Sequence, residues 1–243
     1  MSQTTVDVTT PRGTMPAYVY RPDGGGPFAR VVLFMDAPGI RAALFGHAGR
    51  LAGAGYTAVL PDLYYRFDPA DRPDAQRMAA GDQAEFEQMH KLVAQIHDDE
   101  VLEDTRLLLE AVPDGGERPW ACIGFCMGGR FGMRAAEAFG TDIAAASLLH
   151  PTNLVTDEPD SPHLEVDRVD AALYLGFGEN DRVTPLSTIP PLRERLERAG
   201  VAHRIEIVPG AEHGFTMPGR AAYNEAAAEQ VWGGTLKLLR ERL

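Results

Sequence analysis

Residues 120–125 (WACIGF) are an apolar run that reads as a β-strand, and residues 127–139 have helical spacing closed by Gly140. No loop separates the two. The junction is Gly124-Phe125-Cys126-Met127-Gly128-Gly129, so the chain must pass from strand to helix through one sharp turn with Cys126 at its apex. Backbone folded that tightly leaves no room for side chains two residues before and two after the apex, where Gly124 and Gly128 stand. The helix that follows points its partially positive N-terminus at Cys126 and favours a thiolate there.

A strand that feeds directly into a helix calls for alternating strands and helices around it, and the rest of the chain supplies them. Residues 6–10 and 15–20 read as paired strands about the turn Pro11-Arg12-Gly13, followed by the link PDGGGP at 22–27. Strands are predicted at 30–35, 56–60, 120–125, 143–149, 171–177 and 203–208; the first, RVVLFM, is the near-continuous apolar run expected of a strand buried on both faces, and 56–60 is the next buried strand. Helices are predicted at 42–54, 127–139, 187–199 and 221–243, and one or two more across 85–96 and 99–112. Residues 66–81, polar and broken by Pro69 and Pro73, read as an irregular surface excursion, and 151–162 as a proline-rich acidic loop. The expectation is one α/β domain over residues 1–243, with about eight mostly parallel strands flanked by helices. Its 243 residues, 44% of them hydrophobic, suffice for a real core.

Composition narrows the function classes. A formal net charge of -12 argues against a nucleic-acid partner, which needs a basic face to displace phosphate counterions. The two cysteines are too few for a disulfide framework, and the C-x3-C spacing of Cys122 and Cys126 is neither a redox pair nor a zinc motif. The opening MSQTTVDVTTPRG lacks the basic and apolar regions of a signal peptide, and no apolar run approaches the roughly 20 residues of a membrane helix. The expectation is a cytoplasmic monomer with no membrane partner. PDGGGP precedes a strand rather than opening a helix, so it fails as a dinucleotide loop. No metal and no organic cofactor are expected.

The turn at Cys126 has the form of a nucleophile elbow, G-x-S-x-G, with cysteine in the central place. Such a nucleophile needs a histidine to take and return a proton and a carboxylate to orient it, in the chain order nucleophile, acid, histidine, each just past a strand. Asp181 follows strand 171–177 in GENDRVTP, and His213 follows strand 203–208 in PGAEHGF. Both stand at carboxyl ends of strands, where open α/β sheets bind ligands. Asp181 precedes Thr184-Pro185 and a helix, so it also reads as a helix cap. Glu179 and Glu212 read as solvated loop charges. Of the other histidines, His47, His90 and His97 read as helical, His163 falls in the acidic loop and His203 opens a strand. His150, before Pro151 at a strand end, is the remaining one placed to line a pocket. Cys122 reads as a core thiol. The backbone N–H of Met127 is a candidate oxyanion donor.

With these residues the sequence resembles the dienelactone hydrolase family, cysteine-dependent members of the α/β-hydrolase fold. The match runs through Met35-Asp36-Ala37, Pro61-Asp62-Leu63-Tyr64, the cysteine elbow, the Asp181 loop and His213-Gly214-Phe215. The resemblance implies Cys126 as nucleophile, His213 as base, Asp181 as its orienter and Ala37 as the second oxyanion N–H. It also implies a thiol-modulating carboxylate at Asp36, where the family carries glutamate; aspartate keeps the charge and reaches one methylene less. Where the family places a substrate-binding arginine, four residues after the histidine, this chain has Met217. The family's other anchoring arginine lies in the excursion that here offers Arg66, Arg72 and Arg77. The activity implied is the opening of a small lactone or ester through an acyl-cysteine, carboxymethylenebutenolide to maleylacetate being one such reaction. A general carboxylesterase or thioesterase for neutral acyl groups, and a non-catalytic binding protein on the same fold, are the alternatives. The net negative charge and the missing arginine tilt the expected substrate toward a neutral or weakly anionic molecule, with the field of the surface reaching about 8 Å at physiological salt.

Overall fold

The computed structural model describes residues 1–116 and 118–243. Among them are eight strands, mostly parallel and flanked by helices, in an α/β-hydrolase fold. Contacts gather the chain into two compact units, Met1–Glu117 and Arg118–Leu243.

In the first unit the strands β1 (Ser2–Thr10), β2 (Gly13–Arg21), β3 (Arg30–Phe34) and β4 (Thr57–Pro61) lie in the order β1-β2-β4-β3. The hairpin β1-β2 and the pair β2-β4 are antiparallel, and β3-β4 is parallel. The hairpin is longer than the predicted 6–10 and 15–20, because polar, solvent-facing residues such as Gln3 and Thr5 still pair through their backbones. Thr10 lies opposite Gly13, whose φ of 134° closes the two-residue connection Pro11-Arg12. Helix α1 (Ala42–Gly53) buries Ala43, Leu44, His47, Ala48 and Leu51, the face that its apolar spacing predicts.

The excursion at 66–81 is not wholly irregular. A 3-10 turn, Pro69–Asp71, and a short helix, α2 (Ala75–Ala79), interrupt it. The Asp74 carboxylate caps α2 by accepting from the N–H groups of Gln76 and Arg77. Helices α3 (Gln83–Val93) and α4 (Asp98–Ala111) follow. His97, read as helical, is instead the extended residue just before α4, with φ -98° and ψ 143°.

In the second unit β5 (Trp120–Phe125), β6 (Ile143–Leu149), β7 (Ala172–Gly178) and β8 (His203–Val208) run parallel in the order β5-β6-β7-β8. Helices α5 (Met127–Ala138), α6 (Ile189–Ala199) and α7 (Glu225–Arg242) complete it. Helix α7 starts four residues later than predicted, where the Asn224 side chain accepts from the Ala227 N–H. Register aligns the strand ends. Phe125 lies opposite Leu149, Leu149 opposite Gly176, and Gly178 opposite Val208. The loops that leave these four ends therefore share one edge of the unit, over a core that includes Phe125, Phe177, Phe215 and Trp232.

Candidate active site

Cys126 joins β5 to α5 without an intervening residue. Its φ of 54° and ψ of -117° lie outside the regions an L-residue ordinarily occupies, as an elbow requires. The reason is steric. A Cβ on Gly124 would stand 2.5 Å from the Gly128 carbonyl carbon and 2.7 Å from the Gly129 nitrogen, and one on Gly129 would stand 2.8 Å from the Pro151 Cα. The Cys126 N–H donates to the Leu149 carbonyl at 3.1 Å, which ties the apex to the end of β6. Met127, the first residue of α5, carries an N–H with no intrahelical acceptor, as any first-turn residue does.

The loops after β7 and β8 bring Asp181 and His213 to this apex. His213 Nε2 lies 3.1 Å from Cys126 Sγ, and His213 Nδ1 donates to Asp181 Oδ2 at 2.8 Å. The Asp181 side chain is fully buried, and its Oδ1 accepts from the N–H groups of Val183 and Thr184 at 2.8 Å each. The two readings of Asp181 are thus both fulfilled: one oxygen caps the loop and the other holds the histidine. The loops meet closely enough that a Cβ on Gly178 would stand 2.5 Å from the Ala211 carbonyl oxygen. Burial by itself would lower the His213 pKa. The hydrogen bonds and charges of Asp181 and Cys126 outweigh it and raise the value to about 9. The set Cys126–His213–Asp181 is the arrangement typical of cysteine hydrolases. It can move a proton between thiol and imidazole while a carboxylate stabilises the imidazolium.

The other sequence candidates differ in their burial and their partners. His150 is fully buried, with Nε2 2.7 Å from Thr216 Oγ1 and its ring edge-to-face with His213 at 5.2 Å between centroids. Met217 is fully buried. The Arg220 guanidinium lies over Gly214, where a Cβ would meet it at 2.9 Å. Glu179 accepts from the Gly210 N–H, and Glu212 is exposed. Cys122 is inaccessible in β5, and burial pushes its thiol pKa up.

In the first unit Asp36 is fully buried and its carboxylate is held by both terminal nitrogens of Arg41. The Tyr64 hydroxyl donates to the Ala37 carbonyl and fixes that peptide. Arg66 pairs with Glu100 and Asp104, Arg72 with Asp62, and Arg77, more than half exposed, with Asp82 and Glu85. Sequence reasoning missed Thr184 and Thr216, which brace the acid and the histidine loops. A threonine three residues after each catalytic group was the available signal. Among the described residues no cluster of three or more His, Cys, Asp or Glu side chains is arranged to hold a metal ion, and no helix is long and apolar enough to cross a membrane.

Residues 15–243 match the model of the dienelactone hydrolase family. An Escherichia coli K12 protein provisionally named a carboxymethylenebutenolidase is 30% identical over 234 residues, covering 93% of this chain and 82% of its own. A Bradyrhizobium protein provisionally named a 2-oxo-3-(5-oxofuran-2-ylidene)propanoate lactonase is 27% identical over 244 residues, covering 98% of this chain and 94% of its own. The crystal structure of a protein from Klebsiella pneumoniae subsp. pneumoniae MGH 78578, provisionally called a dienelactone hydrolase, superposes with a TM-score of 0.85 at 26% identity. It covers 98% of both chains.

Proposed function

This chain belongs to the dienelactone hydrolase family, and from that premise we propose that it hydrolyses a small neutral or weakly anionic lactone or ester through an acyl-cysteine intermediate. The observation that carries the proposal is the unbroken chain of contacts from Cys126 Sγ through His213 to Asp181, at 3.1 and 2.8 Å. The family match runs through both units, which supports reading 1–243 as one hydrolase domain.

In the first step the Cys126 thiolate attacks the carbonyl carbon and a C–S bond forms. The oxyanion is met by the Met127 N–H, and we assign the second donor to Ala37 on the family resemblance alone. The tetrahedral intermediate collapses and re-forms the carbonyl, the ring or ester C–O bond breaks, and the leaving oxygen takes the proton from the His213 imidazolium. In the second step neutral His213 removes a proton from water, and the hydroxide attacks the acyl-cysteine. The C–S bond breaks, the carboxylic acid leaves and the thiolate–imidazolium pair returns.

Carboxymethylenebutenolide, converted to maleylacetate, is the lactone that the names of several relatives point to. Against it stand the net charge of -12 and Met217, buried where the family's arginine is expected. The reading for substrate is therefore a neutral acyl group first and the anionic lactone second. A panel of short neutral esters, neutral lactones, thioesters and dienelactone decides between them by kcat/KM, with Cys126→Ala as control. A transient mass increase equal to the acyl group, absent in Cys126→Ala, is the expected result. Full turnover by Cys126→Ala would overturn the mechanism.

A further inference from the structure

The loop after β6 carries no member of the triad, yet it touches the loops of all three. His150 leaves the strand with a φ of 39°, a left-handed conformation that is doubly unusual for a residue with a side chain and a following proline. Its N–H donates to the Gly176 carbonyl of β7 at 2.7 Å. Its ring is inaccessible, 5.7 Å from the Phe215 ring and 5.2 Å from the His213 ring, and Nε2 is 2.7 Å from the Thr216 hydroxyl. The next residue, Pro151, packs against Gly129 of the elbow helix and accepts at its carbonyl from Thr184 Oγ1 at 2.9 Å. Thr184 is the residue whose N–H holds Asp181 Oδ1. One residue further, the Thr152 N–H donates to the Cys126 carbonyl at 3.0 Å.

Three consecutive residues thus reach, in turn, the histidine loop, the acid loop and the nucleophile. We propose that His150-Pro151-Thr152 is the clamp that sets the mutual geometry of the triad, and that His150 is the positioning residue for the His213 ring. The proposal rests on the acyl-cysteine reading for what the geometry serves, but its central contacts do not depend on the substrate.

The polar partners of His213, Asp181 and the Cys126 sulfur, meet its ring at the edge, where they fix the two nitrogens but offer little resistance to small rotations of the ring plane about the Cβ–Cγ bond. A second ring set at 74° to it and 5.2 Å away blocks that rotation on one side. The blocking ring must itself be fixed, and Thr216 fixes it from the same loop that carries His213. Left-handed backbone at a non-glycine residue persists where its surroundings over-determine it, and such residues cluster at functional sites. The titratable groups placed against the His213 ring are Cys126, Asp181 and the His150 ring.

The test uses the full chain. His150→Phe keeps a ring and loses the hydrogen bond to Thr216; Thr216→Val removes the other partner of that bond; Thr216→Ser restores it. The readouts are kcat and KM on p-nitrophenyl acetate, the rate of Cys126 alkylation by iodoacetamide at pH 7, and the titration of the His213 ring by NMR. His150→Phe and Thr216→Val are expected to lower kcat ten- to a hundredfold with KM within twofold. The same variants should slow alkylation about tenfold and lower the His213 titration midpoint, while Thr216→Ser matches the parent. Folded variants with unchanged alkylation and titration overturn the proposal, whatever happens to kcat, since a merely structural contact would leave both unmoved. Should His150→Phe fail to fold, the Thr216 pair decides alone. Absence of ester turnover in the parent would count against the acyl-cysteine reading instead, because alkylation and titration need no substrate.

Discussion

Gly124 and the carbonyl of Gly128 approach so closely that no side chain fits between the end of β5 and the first turn of α5. The atoms that a Cβ would meet belong to backbone, which cannot swing aside. Gly124→Ala is expected to cost about 3 kcal/mol, the upper part of the range for overpacking, and to abolish activity by moving the Cys126 apex. Gly46 is the control. It lies on the exposed side of α1 with nothing within 4 Å of its would-be Cβ, so Gly46→Ala should stabilise by about 0.5–1 kcal/mol. Chemical denaturation of the two variants beside the parent measures both.

Asp181 divides its work between its two oxygens, and that division predicts how asparagine behaves there. The amide oxygen of Asp181→Asn still accepts from the N–H groups of Val183 and Thr184, so the loop should keep its conformation and the chain should still melt cooperatively, with its stability lowered by no more than the lost His213 charge interaction, about 3 kcal/mol. The amide nitrogen then faces His213 Nδ1, which favours the wrong tautomer and leaves the imidazolium without its counter-charge. By the general behaviour of such triads kcat should fall by about 10³–10⁴ with KM nearly constant. Steady-state kinetics on a neutral ester, together with a thermal melt, separates this outcome from simple unfolding.

The proton on His213 makes stability depend on pH. Its folded pKa is raised from the ordinary 6.5 to about 9, so between those values the folded chain holds a proton that the unfolded chain has released. A raised histidine contributes in full below pH 6.5 and loses its contribution as the pH climbs through 9. The advantage of the parent over His213→Gln should therefore shrink from pH 6.5 to pH 9, by at most about 3 kcal/mol. In Asp181→Asn the largest raising influence is gone and burial prevails, which should bring the His213 midpoint down sharply. NMR titration of the ring checks the second statement and urea denaturation at the two pH values the first.

The sequence made the elbow legible because strand, apex and helix are contiguous there and the glycines are forced by local sterics. Asp181 and His213 could be read as well, since each follows a strand at the distance a short loop allows. Strands such as 120–125, 143–149 and 203–208 matched to the residue, because both of their faces are buried or their ends are marked by turn residues. The β1-β2 hairpin was underread because half of its residues are polar and exposed, leaving backbone pairing as the sole signal. Helix α2 was missed because a single capping carboxylate, Asp74, starts it amid prolines. The role of His150 was out of reach of any spacing rule. Its burial and its left-handed backbone follow from the packing of four loops that are distant in sequence.

Asp104 collects two arginines and a phenol in the first unit, and this bears on Arg66 as a substrate anchor. Arg12 reaches Asp104 Oδ1 at 2.7 Å, while Arg66 and the Tyr65 hydroxyl reach Oδ2 at 2.8 and 2.9 Å. The Asp104 side chain is 1% exposed and that of Arg66 8%, so neither charge is screened by water. Removing the shared carboxylate strands cationic groups in a buried place, and Asp104→Ala should cost about 3–5 kcal/mol. The Arg66 guanidinium is committed to this carboxylate and to Glu100, and releasing it to hold a substrate would break both pairs. Arg66→Met should accordingly lower stability while leaving KM within twofold for dienelactone and for a neutral ester alike. A selective rise of KM for the anionic lactone, with the melting temperature unchanged, would instead assign Arg66 to substrate binding.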